Sequence, residues 1–443
     1  MEKANNPRVR VWLLLVLVLM ATGGFGCAGD PQEAEEPPEP NDTLQFRITW
    51  QEFSGRGEAV KRIVSAYQPE KEAIKINVIG GDEDLNTMEE ILLKEPTDTI
   101  LVMPYRFIKH FGAKGLLQDL TTDFIGDKDL FYPELWDLAI VEGRTFGVPW
   151  VGHAVSLIYN KELLRTAGVD PAAIRSLDDL VAAMERVEAE TPAKGIGLVG
   201  ADHNDVSWMV NQFIYSFGGT LVDSDGSSVK VNSEEAMQAI AFYRDVLGPH
   251  AQPTWTEDTG VEVMKHFLEQ TVAFEFQGVW GVTDVQKNGA PFETGVIALN
   301  DLGMAAEVGP LMLAIPASFA EEHRKSAVDF LRYLISVPAQ ERVMNGEYSP
   351  ERDAYYPFRV PVRIDMKDSQ LFDNYPQYLP FIEGMQNPSI DVPVPGWATI
   401  KELYYAPGLH RVMTGESTIE DFLIEIEGKG NDILDQQKQG GEI

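Results

Sequence analysis

Cysteine is nearly absent: among 443 residues there is one, Cys27. A single thiol excludes an intramolecular disulfide and any metal site built on several cysteines. Positive charge is scarce as well, with 36 Lys and Arg against 69 Asp and Glu, a formal net charge of −33. A surface of that sign repels phosphate backbones and anionic headgroups, which excludes nucleic acid as a partner and electrostatic adhesion to lipid. Long apolar runs are missing too. The one at residues 11–21 is shorter than the roughly 20 residues that cross a bilayer as a helix, and it dissolves into Gly23, Gly24 and Gly26. No P-loop, nucleophile elbow or zincin motif occurs. The histidines at 110, 153, 203, 250, 266, 323 and 410 show no metal-ligand spacing. Neither a metal nor a cofactor is expected, and carboxylates are too abundant for any pair of them to point to glycosidase chemistry.

What is present begins with Lys3, Arg8 and Arg10, a basic stretch ahead of the apolar run, with small residues leading on to Cys27. This is the three-part pattern of a secretory leader, predicted to be removed as residues 1–26. Residues 28–44 interleave Pro31, Pro37, Pro38 and Pro40 with Asp30, Glu33, Glu35, Glu36, Glu39 and Asp42. Proline favours extended backbone and like charges repel, so this segment reads as a stiffened spacer. The roughly 400 residues that follow are ample for two cores or lobes.

From residue 46 the pattern is that of an α/β protein. Residues 46–50 alternate as a strand, Val60, Ile63, Val64 and Tyr67 recur at helical spacing, and strands at 74–79 and 99–103 flank a helix at 88–94. Strands alternating with helices predict a mostly parallel sheet covered on both faces, with ligand beyond the carboxyl ends of the strands. Trp50, Glu52, Tyr105 and Arg106 fall at those ends. A second unit has strands at 145–148, 156–159 and 272–276 and helices at 206–217 and 234–247. Its helix 177–188 opens with Ser176 and Asp179, a capping box. A strand at 308–315 and an amphipathic helix at 324–335 follow. Asp223-Ser224-Asp225-Gly226 has its glycine misplaced for an EF-hand and reads as a hairpin turn.

Several short segments occur in order: Gly147-Val148-Pro149-Trp150 leading to Ser156-Leu157-Ile158-Tyr159-Asn160-Lys161-Glu162-Leu163-Leu164 and Ala167-Gly168-Val169; Phe217-Gly218-Gly219-Thr220-Leu221-Val222-Asp223 with Val231-Asn232-Ser233-Glu234-Glu235-Ala236; Phe276-Gln277-Gly278-Val279-Trp280-Gly281; and Ser336-Val337-Pro338-Ala339-Gln340-Glu341. Through them the chain resembles the family 1 extracellular solute-binding proteins, sugar-binding receptors of ABC importers, over residues 46–434. The resemblance implies an α/β, two-lobe periplasmic-binding-protein fold of type II, with hinge-connected lobes and a ligand cleft between them. The implied lobes are 45–152 with 309–352 and 153–308 with 353–434, followed by a polar tail at 435–443. Crossings are implied near 151–153 and 308–311, where Gly309-Pro310 stands in place of the family's usual glycine pair. Gly24-Phe25-Gly26-Cys27 partly resembles the end of a bacterial lipoprotein leader, which implies lipidation of Cys27 and an anchored linker at 27–44 outside the cytoplasm, in the periplasm or at the cell surface.

Sugars present apolar CH faces and many hydroxyls, so their sites combine aromatic platforms with dense polar groups. Trp280 matches the family's stacking tryptophan in its glycine-x-tryptophan motif. Trp208 occupies a position where the family often has an aromatic contact, with Asn211 one turn later on the same face. His153 aligns with a position that touches sugar hydroxyls. Tyr105, Arg106, Trp50 and Glu52 are further candidates, and Trp397 is expected in a cleft-facing loop. The expected protein is a monomeric, non-enzymatic receptor that captures a carbohydrate, an oligosaccharide given the number of aromatics, and delivers it to ABC permease subunits. Three rival readings stay open. A glycerol phosphate would need several cations in the cleft, of which Arg106 is the evident one. A ferric ion would need clustered tyrosines such as Tyr355-Tyr356 or Tyr404-Tyr405. The third is a secreted carbohydrate-active enzyme. A membrane sensor in place of the importer also stays open.

Overall fold

Alternation places Leu44 and Phe46 on the buried face of the strand Thr43–Arg47, and this strand is the parallel centre of one half of the molecule. The computed structural model describes residues 43–67, 74–82, 84–94, 98–223, 226–390, 394 and 396–438. The expected leader, Cys27, the spacer up to residue 42 and the tail residues 439–443 lie outside the described residues. The strand begins earlier than the pattern at 46–50 predicts, because its register is set by parallel pairing of Thr43 with Lys75 through Arg47 with Ile79. Thr43 and Leu44 thus belong to the folded body and not to the spacer.

Six strands form the first sheet, in the order Val360–Pro361, Val148–Gly152, Leu311–Ala314, Thr99–Pro104, Thr43–Arg47, Lys75–Ile79. A second sheet of four strands runs Thr294–Ala298, Ser156–Asn160, Val272–Gln277, Lys194–Gly197. The expectation of mostly parallel sheets is corrected here. Leu311–Ala314 is antiparallel to both its neighbours, and Ser156–Asn160 to both of its own. The reason is connectivity: Leu311–Ala314 enters its sheet from the other lobe, so it does not run with the strands that a helix returns to the same edge.

The chain passes from the first sheet to the second within residues 153–155 and returns between Ala298 and Leu311. These two passages lie side by side. Ala154 bridges to Val308, Gly309 N–H donates to the His153 carbonyl at 3.2 Å, and Val155 N–H donates to the Glu307 carbonyl at 2.8 Å. Val360 pairs with Gly152, so the later stay in the first lobe extends past the expected boundary at 352.

Helix patterning is followed closely where the apolar spacing is regular. Helix Leu177–Glu190 buries Leu180, Ala183, Met184 and Val187, one stripe along its core face. Ser176 Oγ accepts from Asp179 N–H at 3.1 Å, while the Asp179 carboxylate accepts from Arg175 N–H at 3.1 Å, one residue outside a regular capping box. Replacing Ser176 with alanine is expected to lower stability by about 1 kcal/mol, read as a lower urea midpoint with an unchanged slope; an unchanged midpoint would mean the cap contributes nothing. At 222–229 the hairpin reading holds, with Val222 bridged to Val229; Ser224 and Asp225 themselves lie outside the described residues.

Helix starts matter most for the site. Tyr105–Ala113 follows directly on Thr99–Pro104, Gly55–Ser65 follows the first strand, and Val279–Lys287 follows Val272–Gln277 through Gly278. Their N-terminal ends and that of Asn204–Ser216 all face the space between the two sheets.

Candidate functional site

A cleft of about 950 Å³ lies between the lobes and is lined from both. The first lobe contributes Thr49, Trp50, Gln51, Ser54, Arg56, Tyr105 and Arg106, and the second contributes Asn204, Asp205, Trp208, Gln277 and Trp280. His153, Glu307 and Gly309 come from the crossings themselves.

The second lobe supplies an aromatic wall. The indoles of Trp208 and Trp280 lie 6.2 Å apart at 26°, and the His153 ring meets Trp280 edge-on at 4.7 Å. Trp280 takes this place because Gly278 carries no side chain: a Cβ there would fall 2.4 Å from the indole. The Arg359 guanidinium lies over Trp280 at 4.9 Å and over Trp50 at 5.3 Å, which links aromatic groups of the two lobes through cation–π contacts.

His153 is 5% exposed and neither of its ring nitrogens has a hydrogen-bond partner. Burial, reinforced by the nearby charges of Arg359 and Arg56, holds its pKa well below the usual histidine range. The ring is therefore neutral and offers one donor and one acceptor. Such a pair left unsatisfied against a cavity discriminates for ligands with hydroxyls, because an apolar ligand would leave both nitrogens unpaired.

Around this centre the polar groups are held in place by other protein groups. Tyr105 Oη donates to Glu307 Oε1 and Ser389 Oγ donates to Glu307 Oε2, each at 3.3 Å, with Glu307 fully buried. Burial opposes ionisation of Asp205, yet hydrogen bonds from His203 and from Gly260 N–H, with the charges of His203 and Lys401, outweigh it and lower its pKa. Lys287 Nζ sits 2.7 Å from Glu347 Oε1 and 3.6 Å from Asp284 Oδ1, and Arg56 Nε is 3.8 Å from Glu347 Oε2.

Of the residues proposed from sequence, Trp280, Trp208, His153, Tyr105, Arg106 and Trp50 are brought together in this lining. Glu52, Asn211 and Trp397 are not. Glu52 sits in the turn after the first strand, where Gln51 and Ser54 take the lining positions instead. Asn211 is fully buried in its helix, its Oδ1 accepting from Tyr405 Oη at 2.8 Å. Trp397 is 2% exposed and packs on Tyr405 at 5.5 Å, a core residue at the start of a short helix.

Sequence reasoning missed Arg56, Asp205, Asp284, Lys287, Glu347, Arg359 and Lys401, all of which line the cleft. Arg56 had a usable signal, since Ser54-Gly55-Arg56-Gly57 marks a capped helix start just after a strand. Glu347, Arg359 and Lys401 had none, for they come from a strand, a bend and a helix start far apart in sequence that only the fold assembles. The expectation that Arg106 is the evident cation is thereby corrected: Arg56, Lys287, Arg359 and Lys401 join it, accompanied by Asp82, Asp205, Asp284, Glu307 and Glu347. The tyrosine pairs do not enter the cleft lining; Tyr355 and Tyr356 belong to a surface hairpin and Tyr405 is buried. Among the described residues no group of three or more His, Cys, Asp or Glu could hold a metal, and no helix is long and apolar enough to cross a membrane.

Comparison with known proteins places this geometry. The family model described as bacterial extracellular solute-binding protein matches residues 52–341. An uncharacterised ABC transporter extracellular-binding protein of Pyrococcus horikoshii is 23% identical over 368 residues, covering 77% of this chain and 80% of that protein. The maltodextrin-binding protein of Bacillus subtilis is 20% identical over 308 residues, covering 67% of this chain and 69% of its own. Among solved structures, the maltose-bound MalE3 protein of T. maritima superposes with a TM-score of 0.74 at 20% identity, covering 88% of this chain and 99% of that one. The fold is therefore the two-lobe fold of periplasmic binding proteins. With the family model matching well over half of the chain, including the passages at 153–155 and 298–311, the chain belongs to the bacterial extracellular solute-binding protein family.

Proposed function

We propose that the protein captures an uncharged carbohydrate, an oligosaccharide, in the interlobe cleft and delivers it to the permease subunits of an ABC importer. The observation that carries this reading is the paired indoles of Trp208 and Trp280 beside a buried, neutral His153 with both nitrogens unpartnered. Flat apolar faces next to a donor and an acceptor suit the CH faces and hydroxyls of a sugar. The charge balance of the cleft supports the same ligand class. Its cations stand among carboxylates, as Lys287 does with Glu347 and Asp284, so a phosphate would have to displace existing ion pairs. The maltose and maltodextrin named for two of the relatives agree with it.

In this reading residues 1–26 are removed, Cys27 carries the lipid, and the acidic proline-rich segment holds a monomeric body away from the membrane outside the cytoplasm. Acyl chains at Cys27 would place it there, since a surface of net charge −33 gains nothing from anionic headgroups. Intact mass of the membrane-associated protein reads this directly, as a diacylglyceryl addition on an N-terminal Cys27.

The ligand class is tested by thermal and urea unfolding with maltose, maltotriose, arabino-oligosaccharides, glycerophosphocholine and ferric citrate. A sugar present at 100 times its Kd is expected to raise stability by about 2.7 kcal/mol. A shift with the phosphodiester or with iron, and none with any sugar, would overturn the carbohydrate reading.

A further inference from the structure

The hairpin of strands Glu347–Ser349 and Ala354–Tyr356 touches both lobes. Towards the second lobe, Ser349 Oγ donates to the Lys287 carbonyl at 3.0 Å, Arg352 Nη2 to the Ala290 carbonyl at 3.3 Å, and Thr283 Oγ1 to the Pro357 carbonyl just beyond the hairpin. Towards the first lobe, the Arg62 guanidinium lies 4.9 Å over the Tyr355 ring, and Glu347 meets the start of helix Gly55–Ser65. The carboxylate of Glu347 is the one group of the hairpin that reaches into the cleft lining.

Its surroundings are unequal. Glu347 is 2% exposed; Oε1 accepts from Lys287 Nζ at 2.7 Å, while Oε2 has no hydrogen-bond partner and Arg56 Nε stops 3.8 Å away. A buried carboxylate with one oxygen unsatisfied is a state that a modest movement of Arg56 would improve. The approach to the first lobe is already close. A Cβ on Gly55 would lie 2.4 Å from Glu347 Oε1, so glycine is what lets the helix start come against the carboxylate, where the positive end of the helix favours it. Lys287, for its part, has a second counter-ion on its own helix, Asp284 at 3.6 Å. If the second lobe swings away, Lys287 keeps a partner and Glu347 turns to Arg56.

We propose that Glu347 is an interlobe latch: its buried carboxylate ties Lys287 of the second lobe to Arg56 and the Gly55 helix start of the first, and so sets the angle at which the empty cleft rests. The indole–guanidinium–indole contact of Trp50, Arg359 and Trp280 spans the same gap without a carboxylate, whereas Glu347 joins the lobes through opposite charges that can exchange partners.

The test needs no ligand, so its failure is distinct from failure of the carbohydrate reading. Spin labels at Lys128→Cys and Glu185→Cys, both exposed and one on each lobe, report the interlobe distance in ligand-free protein carrying Cys27→Ser. Glu347→Gln keeps the shape and removes the charge, and Lys287→Met removes the partner from a partly exposed position. Each is expected to give a broader distance distribution displaced from that of the parent protein. A parent-like distribution in either folded variant overturns the latch. Should Glu347→Gln not fold, Lys287→Met decides alone, since its side chain is not part of either core.

Discussion

Replacing Trp280 with alanine is expected to weaken sugar binding by roughly thirtyfold to a thousandfold while leaving a folded protein. The indole is in contact with Trp208, His153 and Arg359 at once, at 6.2, 4.7 and 4.9 Å. Its removal takes away a stacking platform and also uncovers the nitrogens of His153, which are buried without a hydrogen-bond partner in the parent protein. Truncating a central aromatic anchor typically removes about 2–4 kcal/mol of binding energy, and each 1.4 kcal/mol is roughly a factor of ten. Because Trp280 is only partly buried, at the first turn of its helix, the hydrophobic loss to folding is smaller than the loss to binding. Titration calorimetry with the best sugar of the panel, alongside urea unfolding of the same variant, separates the two. Affinity within threefold of the parent would mean that ligand sits elsewhere in the cleft and that the Trp208–Trp280 wall is core packing.

The same contrast explains how far the sequence could be read. Trp280 and Trp397 are both tryptophans next to a glycine at the start of a helix, and both are plausible platforms on pattern alone. Gly278 is extended and turns Trp280 towards the cleft, whereas Gly396, at φ 88°, turns Trp397 into the core against Tyr405. A local pattern does not encode that difference. Trp208 and Asn211 share a helical face as spacing predicts, yet the face is partly cleft and partly core, and Tyr405 of a distant helix claims Asn211. Strand positions were legible because alternation and apolar runs follow from burial itself. Strand direction was not: it depends on the two passages between lobes, which bring Leu311–Ala314 back between Thr99–Pro104 and Val148–Gly152. The charged half of the site was the least legible. Arg56, Lys287 and Glu347 look like ordinary surface residues in sequence and become a cluster around one buried carboxylate only when three separate elements meet.

A carboxylate deeper in the second lobe leads to the other large effect, a dependence of stability on pH that Glu275→Gln is expected to remove. Glu275 lies on Val272–Gln277, opposite Ile158, fully buried, with both carboxylate oxygens lacking a hydrogen-bond partner. Helix Val279–Lys287 covers it so closely that a Cβ on Gly281 would lie 3.0 Å from its Oε1. Burial, with the charge of Asp284 added, pushes its pKa well above the usual carboxylate range. The sign then follows from proton counts. The folded protein binds this proton more tightly than the unfolded chain does, so the stability it contributes is complete below the ordinary carboxylate pKa and is lost as pH rises through the raised one. Glutamine keeps the shape of the protonated acid and cannot ionise. At pH 8 the variant is expected to exceed the parent, because the parent must hold a proton that its unfolded chain releases, at a cost of about 1.4 kcal/mol for each pH unit between the ordinary and the raised pKa, and near the ordinary carboxylate value of 4.5 the two should converge. Asp284, whose pKa burial also raises, is common to both proteins and cancels in the difference. Urea unfolding at several pH values between these limits gives that difference; a constant gap, or none, would show that Glu275 finds a partner in the folded state. Because the same strand runs on into Gln277, Gly278 and the helix that carries Trp280, a cleft that loosens above neutral pH in the parent but not in Glu275→Gln would trace the loss to this carboxylate.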